Sequence, residues 1–505
     1  MNFRHEASYY ARKDGKETMQ SSTSNPRLTL SEGDLGPVMA SLQAANERFT
    51  ATYPGIQVDR VPVHTVYGGA QLYKVGVADK LAQLARRNLA EFAPTFVDFA
   101  RALEFEGTKS LPQDTGSLAP LQAALEVDAT AVRATNPAAW LAWTVYQRVQ
   151  RKLEREAVED QRIDFEDGYG AREDAEEDGH ALAAAAAMAQ GLQADNLPPF
   201  TGIRVKALTE EAKARSLRTL DIFMSTLLSA TSNVLPSNFA VTLPKVTSPE
   251  QVSAMHQCLS LIEAHHGLVG GVIRLELMIE TIQSIINPSG ESAIPALMRA
   301  GKGRVTCAIL GTMDYTATCN IASTHQSHAH PSAEFARMMM QVCLTGTEVT
   351  ISDGITNVMP IPPHKATPDA PLNLQQHEEN RRVVHDAWKL HFDNISHTLR
   401  LGIYQSWDLN PAQIPVRYAA FYYFFLTGLE AATARLKTFI DQAAQATLVG
   451  NVFDDAATAQ GLLNFFISGI SCGALEPDEA IATGISMAEL QGKSFQKIVE
   501  NRVNA

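Results

Sequence analysis

The chain has 505 residues, too many for one small core, and a formal charge of −13 at pH 7. That balance, with no long Lys/Arg block, argues against a nucleic-acid binder. No stretch reaches the roughly 18 uninterrupted apolar residues that a membrane span needs. Apolar residues make up 45% and charged residues 19%, the proportions of a soluble globular protein. The five cysteines form no CxxC pair and are expected as buried thiols in a reducing compartment. The polar N-terminus lacks the apolar core of a signal peptide, so a cytoplasmic location is expected.

Residues 1–30 are polar. A helix is predicted from a Ser31 cap, with Asp34 three residues on, to about Thr50. VDRVPVHTVY then reads as a strand running into Gly68-Gly69, a pair suited to a tight turn with exposed amides. Helix is expected over Val77–Glu91 and over most of residues 94–157. From Gln161 a rhythm sets in. RIDFED, GIRVKA, FAVTLPKV, GGVIRLELMIE, RVTCAILG, EVTISDGI and LRLGIYQSW read as strands, most of them separated by amphipathic helices. With the strand before Gly68 there are eight. The pattern predicts an α/β fold, a (β/α)8 TIM barrel over residues 55–410 with a helical insertion at about 94–157, preceded by a tail and helix at 1–54. After Pro411 only helical periodicity remains, so residues 411–505 are expected as a C-terminal helical domain.

Barrel active sites lie at the C-terminal ends of the strands. Two apolar runs end there in lone carboxylates, Glu280 and Asp314. Neighbouring strands are about 4.8 Å apart, so the two acids could share one hard divalent cation. With oxygen ligands only, that cation is Mg²⁺ or Mn²⁺ rather than zinc. The other strand ends offer Asp164, Glu166 and Asp167, then Arg204 and Lys206, then Lys245, and finally Asp353. A charge on a buried strand is costly unless it is paired or bound to a ligand. Asp164, Lys206 and Lys245 read equally as structural salt bridges. An arginine opposite the metal suits the oxyanion of an enolate or aldolate. His64, Tyr67 and Gly68 on the first strand, and Gly311, Thr312 and Met313 before Asp314, are candidate substrate contacts. His325, His328 and His330 follow the sixth strand and read as a loop, a substrate contact or a metal site.

These segments resemble a known superfamily. VEDQRIDFEDGYG, GIRVK, VTLPKV, LMIET, LGTMDYTA and DLNPAQI are similar, in that order, to motifs of the citrate lyase beta-subunit and HpcH/HpaI aldolase group. Asn410 stands where that group usually has His. NVFDDAATAQGLLNFF resembles the "EDAAT" helix of malate synthases, whose Asp removes a proton from the acetyl group; the matching residue is Asp455. Thr312-Met313 replaces the Arg-Trp of malate synthases. The resemblance implies Arg204 and Asp455 as catalytic residues and Glu280 and Asp314 as metal ligands. It implies a Mg²⁺-dependent carbon–carbon lyase or synthase acting on a small 2-oxo acid such as glyoxylate or pyruvate, with an acyl-CoA as a possible partner. An acyl-CoA lyase or thioesterase, and a non-catalytic metabolite-binding barrel, are the alternatives. A homo-oligomer is expected.

Overall fold

The structure is a computed structural model that describes residues 29–55, 59–441, 447–449, 452–454, 456–495 and 497–498. The chain divides into two compact units, residues 1–52 and 53–505. The described part of the first is essentially the helix Glu32–Thr52. Ser31 caps it as expected: the Asp34 amide donates to Ser31 Oγ at 3.2 Å and the Ser31 amide to Asp34 Oδ2 at 3.0 Å.

In the second unit eight strands run parallel: β1 (His64–Gly69), β2 (Asp160–Asp164), β3 (Phe200–Arg204), β4 (Phe239–Leu243), β5 (Arg274–Ile279), β6 (Val305–Leu310), β7 (Thr350–Ser352) and β8 (Ser406–Asp408). Their order is β7-β6-β5-β4-β3-β2-β1-β8. A parallel bridge between Ser352 and Gln405 joins the two outer strands and closes the ring. This is the (β/α)8 barrel that the alternation predicts. β2 and β4 are buried along their whole length, because helices cover the outside and side chains fill the inside. The helix Asp174–Gln193 buries Ala181, Ala184, Ala185 and Ala189 in the outer core, and their small side chains let it approach closely.

A second core lies among helices outside the barrel. It joins Val77–Phe92, Phe96–Ala102, Pro137–Arg155 and Leu374–Arg400 to helices after residue 411, Ile414–Asp441 and Ala456–Ser471. A short antiparallel hairpin, β9 (Thr447–Val449) and β10 (Val452–Asp454), connects the last two. Among the described residues, no helix is long and apolar enough to cross a membrane.

The lower barrel interior is polar and closely matched. Arg162 Nη2 donates to Asp160 at 3.1 Å and to Glu276 at 2.9 Å, and Thr65 and Thr242 donate to those same carboxylates at 2.8 Å. Gly202 makes room for this. A Cβ there would overlap the Ala240 carbonyl oxygen and the Arg162 guanidinium.

A second buried network seals the barrel on the β1/β8 side. Asp408 lies 2.9 Å from His64 Nδ1 and 3.0 Å from His391 Nε2, and accepts from Arg417 Nη2 at 2.7 Å. Burial pushes the His391 pKa down to about 4; Asp408 opposes the shift, and Arg417 and His328 add to it. An unfolded histidine titrates near about 6.5. The folded state therefore needs neutral His391. Its contribution is complete above about pH 6.5 and is lost as pH falls from there towards about 4. Thermal melts should show His391→Gln losing less stability than the parent between about pH 7 and about pH 5.

Candidate active site

Asp164 ends β2 and Arg204 ends β3, and the two are register partners. The carboxylate accepts from Arg204 Nε at 2.7 Å and Nη2 at 2.5 Å. The same carboxylate accepts from the amides of Glu166 at 3.0 Å and Gly168 at 2.7 Å. One buried acid thus orients the arginine and shapes the following loop. That loop brings Glu166 to 3.2 Å from Arg204 Nη1. Beneath the guanidinium lie the rings of Tyr67 and Trp407, with centroids 4.9 and 5.9 Å away. Tyr67 Oη and Trp407 Nε1 are buried and have no hydrogen-bond partner among the described residues.

Glu280 follows β5 and is 1% exposed. Lys245, in a left-handed backbone conformation (φ 50°), donates its amide to Glu280 Oε1 at 2.6 Å. The other oxygen, Oε2, is buried with no hydrogen-bond partner among the described residues. Burial, reinforced by the Asp314 charge, raises the Glu280 pKa to about 8; Lys245 and Arg204 oppose the rise. Gly311 is there because a Cβ would overlap the Glu280 carboxylate. Asp314 lies in the helix Thr312–Thr318 with its side chain 40% exposed. Thr312 is buried before it, its hydroxyl also unpartnered among the described residues, and Met313 is half-buried.

The Lys245 ammonium ties the acids together. It bonds to Glu166, lies 3.0 Å from Asp167, and is 3.7 Å from Asp314. The mouth therefore holds five carboxylates, of Asp164, Glu166, Asp167, Glu280 and Asp314, against two cations, Arg204 and Lys245. Such an excess of negative charge favours a cation.

Other predicted residues lie elsewhere. His64 opens β1 instead of ending it, so it sits at the N-terminal end of the barrel, fully buried against Asp408. Asp353 does follow β7, but it is fully buried, held by Arg337 at 2.9 Å, His328 at 3.0 Å and Thr398 at 2.6 Å. These partners hold its carboxyl well below the usual range despite burial, and leave no oxygen for a substrate. Gly68 lies at the C-terminal end of β1 with open space where a Cβ would be. Of the three loop histidines, His328 is consumed by Asp353 and His330 caps the helix Pro331–Leu344. No group of three or more His, Cys, Asp or Glu side chains poised for a metal occurs among the described residues. Lys206 turns outward, to the Phe165 carbonyl at 2.6 Å and Glu177 at 3.2 Å. Asp455 lies outside the described residues. Trp407 has no counterpart among the sequence candidates; its one signal is an indole on the short last strand.

Fold and rim define a (β/α)8 barrel with an acid-rich mouth. The chain belongs to the family described as a domain of unknown function, DUF6986, whose model matches residues 42–498. No curated protein matches it. Among solved structures, it is similar to a citrate lyase from Burkholderia xenovorans LB400, at 15% identity and a TM-score of 0.48, covering 67% of this chain and 92% of that one. A malate synthase of Haloferax volcanii, as a lead(II) complex, aligns at 13% identity and a TM-score of 0.37, covering 69% and 90%. The protein CitE from Mycobacterium tuberculosis, in complex with magnesium, acetoacetate and coenzyme A, aligns at 15% identity and a TM-score of 0.40, covering 65% and 95%.

The Asp164–Arg204 pair is buried on both sides. Removing one partner of such a pair strands the other charge and costs about 3–5 kcal/mol. Asp164→Ala is expected to lose stability in that range by urea denaturation, with the m-value unchanged.

Proposed function

We propose that this chain is an enzyme that makes or breaks a carbon–carbon bond next to a carbonyl, on a small 2-oxo acid, with a divalent metal at the barrel mouth. The observation that carries this is Glu280: a buried carboxylate with one oxygen unpartnered among the described residues, beside Asp314, in a mouth with more acids than cations.

The residues fit Mg²⁺ or Mn²⁺. The donors are oxygens only, and two carboxylates leave open positions for water and a chelating substrate. Glu280 and Asp314 would hold the ion. When bound, it would supply Lewis-acid polarisation of the substrate carbonyl and offset the substrate's negative charge.

The chain's own groups supply the rest. Arg204 is held by Asp164 before any substrate arrives, so its guanidinium is a preorganised partner for an oxyanion. Tyr67 Oη and Trp407 Nε1 are further donors beside it. The Lys245 amide orients Glu280, and its ammonium lies between Glu166, Asp167 and Asp314, offsetting part of their negative charge. In the synthetic direction a base takes a proton from a carbon alpha to a carbonyl. The electron pair left there forms the bond to the keto carbon, and the keto oxygen takes up a proton. Cleavage is the reverse. Asp455 is the sequence's candidate for the base.

Calorimetry with Mg²⁺ tests the metal site. Glu280→Ala is expected to weaken binding by more than about 100-fold, beyond the 10–100-fold typical of losing an outer-shell partner. Unchanged affinity would remove the assignment. The chemistry is tested by deuterium wash-in from D₂O with Mg²⁺ present, comparing the methyl protons of pyruvate and acetyl-CoA. The compound that exchanges is the nucleophilic partner, and Asp455→Asn should stop the exchange while Mg²⁺ still binds. Arg204→Lys should lower kcat by about 10²–10³-fold, the loss seen when an oxyanion donor is removed. Exchange in neither compound, with Mg²⁺ bound, would rule out this chemistry for both.

A further inference from the structure

At the barrel's other end lies a cavity of about 550 Å³, within the range of small-molecule sites. Arg60, just before β1, and Glu159, just before β2, both line it, so it lies at the N-terminal end of the strands, opposite the acidic mouth. Its cations are Arg60, Arg148, Arg151, Lys152 and Arg155. Glu159 and Glu476 are the carboxylates in its lining. In a chain with a net charge of −13, five cations around one cavity are an anomaly.

Four of the five lie on the helix Pro137–Arg155, spaced so that they fall on one stripe. Like charges so placed repel one another. Three of the five cations are neutralised by the protein. Arg60 pairs with Glu156, Lys152 lies 2.7 Å from Glu156 and 2.5 Å from Glu159, and Arg148 lies 2.7 Å from Glu479. Arg151 and Arg155 are exposed, and neither forms a hydrogen bond or ion pair among the described residues; Arg155 lies near enough to Tyr422 to act on it electrostatically. The helix dipole favours cations in the last turn, which accounts for Lys152 and Arg155. It does not account for Arg148, Arg151 or Arg60 facing the same space. The cavity also has an apolar wall from Tyr422, Ile470 and Cys472.

We propose that this cavity binds a small phosphorylated molecule, its phosphate taken by Arg151 and Arg155 and its organic body seated against Tyr422. Guanidinium groups match phosphate oxygens in a fixed fork geometry. Two unpaired guanidiniums one helical turn apart call for an anion with several oxygens spread over more than one carboxylate's width. Arg60, Arg148 and Lys152 are balanced by Glu156, Glu159 and Glu479, so the positive charge left for a ligand is that of Arg151 and Arg155. The site is separate from the barrel mouth and does not depend on the chemistry proposed there.

Calorimetry of the full-length chain with inorganic pyrophosphate tests this. Binding is expected, weakening as salt is raised. In the double variant Arg151→Ala/Arg155→Ala the affinity should fall by about tenfold or more per arginine, the usual weight of a hydrogen bond to a charged group. Neither side chain has a hydrogen-bond or ion-pair partner among the described residues, and the lost dipole interaction of Arg155 is offset by relief of repulsion along the stripe, so the melting temperature should change little, and loss of binding is then not loss of fold. Lys245→Met, at the barrel mouth, should bind pyrophosphate as the parent does. No binding at millimolar pyrophosphate, unchanged affinity in the double variant, or loss through Lys245→Met would each overturn the proposal. Equal or tighter binding of citrate would overturn the phosphate assignment.

Discussion

Asp164 is the residue on which the barrel mouth depends. Its carboxylate is buried and carries four hydrogen bonds, two from Arg204 and two from loop amides. A buried carboxylate is stable only when its lone pairs are filled, and here filling them also sets the site. The arginine is fixed at one angle over Tyr67 and Trp407. The loop after β2 is turned so that Glu166 meets Arg204 and Lys245. Gly168 has no Cβ because one would crowd Asp164 Oδ2 at 2.5 Å. Stability and preorganisation come from the same four contacts.

Glu280 is the opposite case. One oxygen is held by the Lys245 amide and the other is left without a partner among the described residues, while burial and Asp314 push its pKa up to about 8. The fold keeps this acid in an unfavourable place and removes the Cβ at position 311 to do so. An unsatisfied buried carboxylate beside a second acid is the kind of local cost that a bound cation relieves.

Charge is segregated along the barrel axis. The C-terminal mouth gathers acids, and the N-terminal cavity gathers cations. Between them the interior balances Arg162 against Asp160 and Glu276. The two ends therefore suit different ligands. The middle layer is a closed network that Gly202 makes possible.

The barrel was legible in the sequence because its strands are continuous apolar runs broken by charges, and that is a local property. The charged residues of the candidate site were legible for the same reason: Glu280, Arg204 and Lys245 each end or follow an apolar run, where burial makes a charge conspicuous. What a side chain meets across the barrel is not local. His64 and Asp353 carry the same kind of signal, yet each is consumed by partners from distant segments, Asp408 for one and Arg337, His328 and Thr398 for the other. Trp407 gave only a weak signal because its strand is three residues long and only ring closure brings it beneath Arg204. The stripe Arg148, Arg151, Lys152 and Arg155 was written in the helix, but the cavity appeared only when Arg60 and the helices after residue 411 closed around it. Sequence by itself determined which segments would be buried and where charge would be costly. Tertiary structure alone decided which of those charges found partners, because pairing depends on distances between segments that only the closed barrel sets.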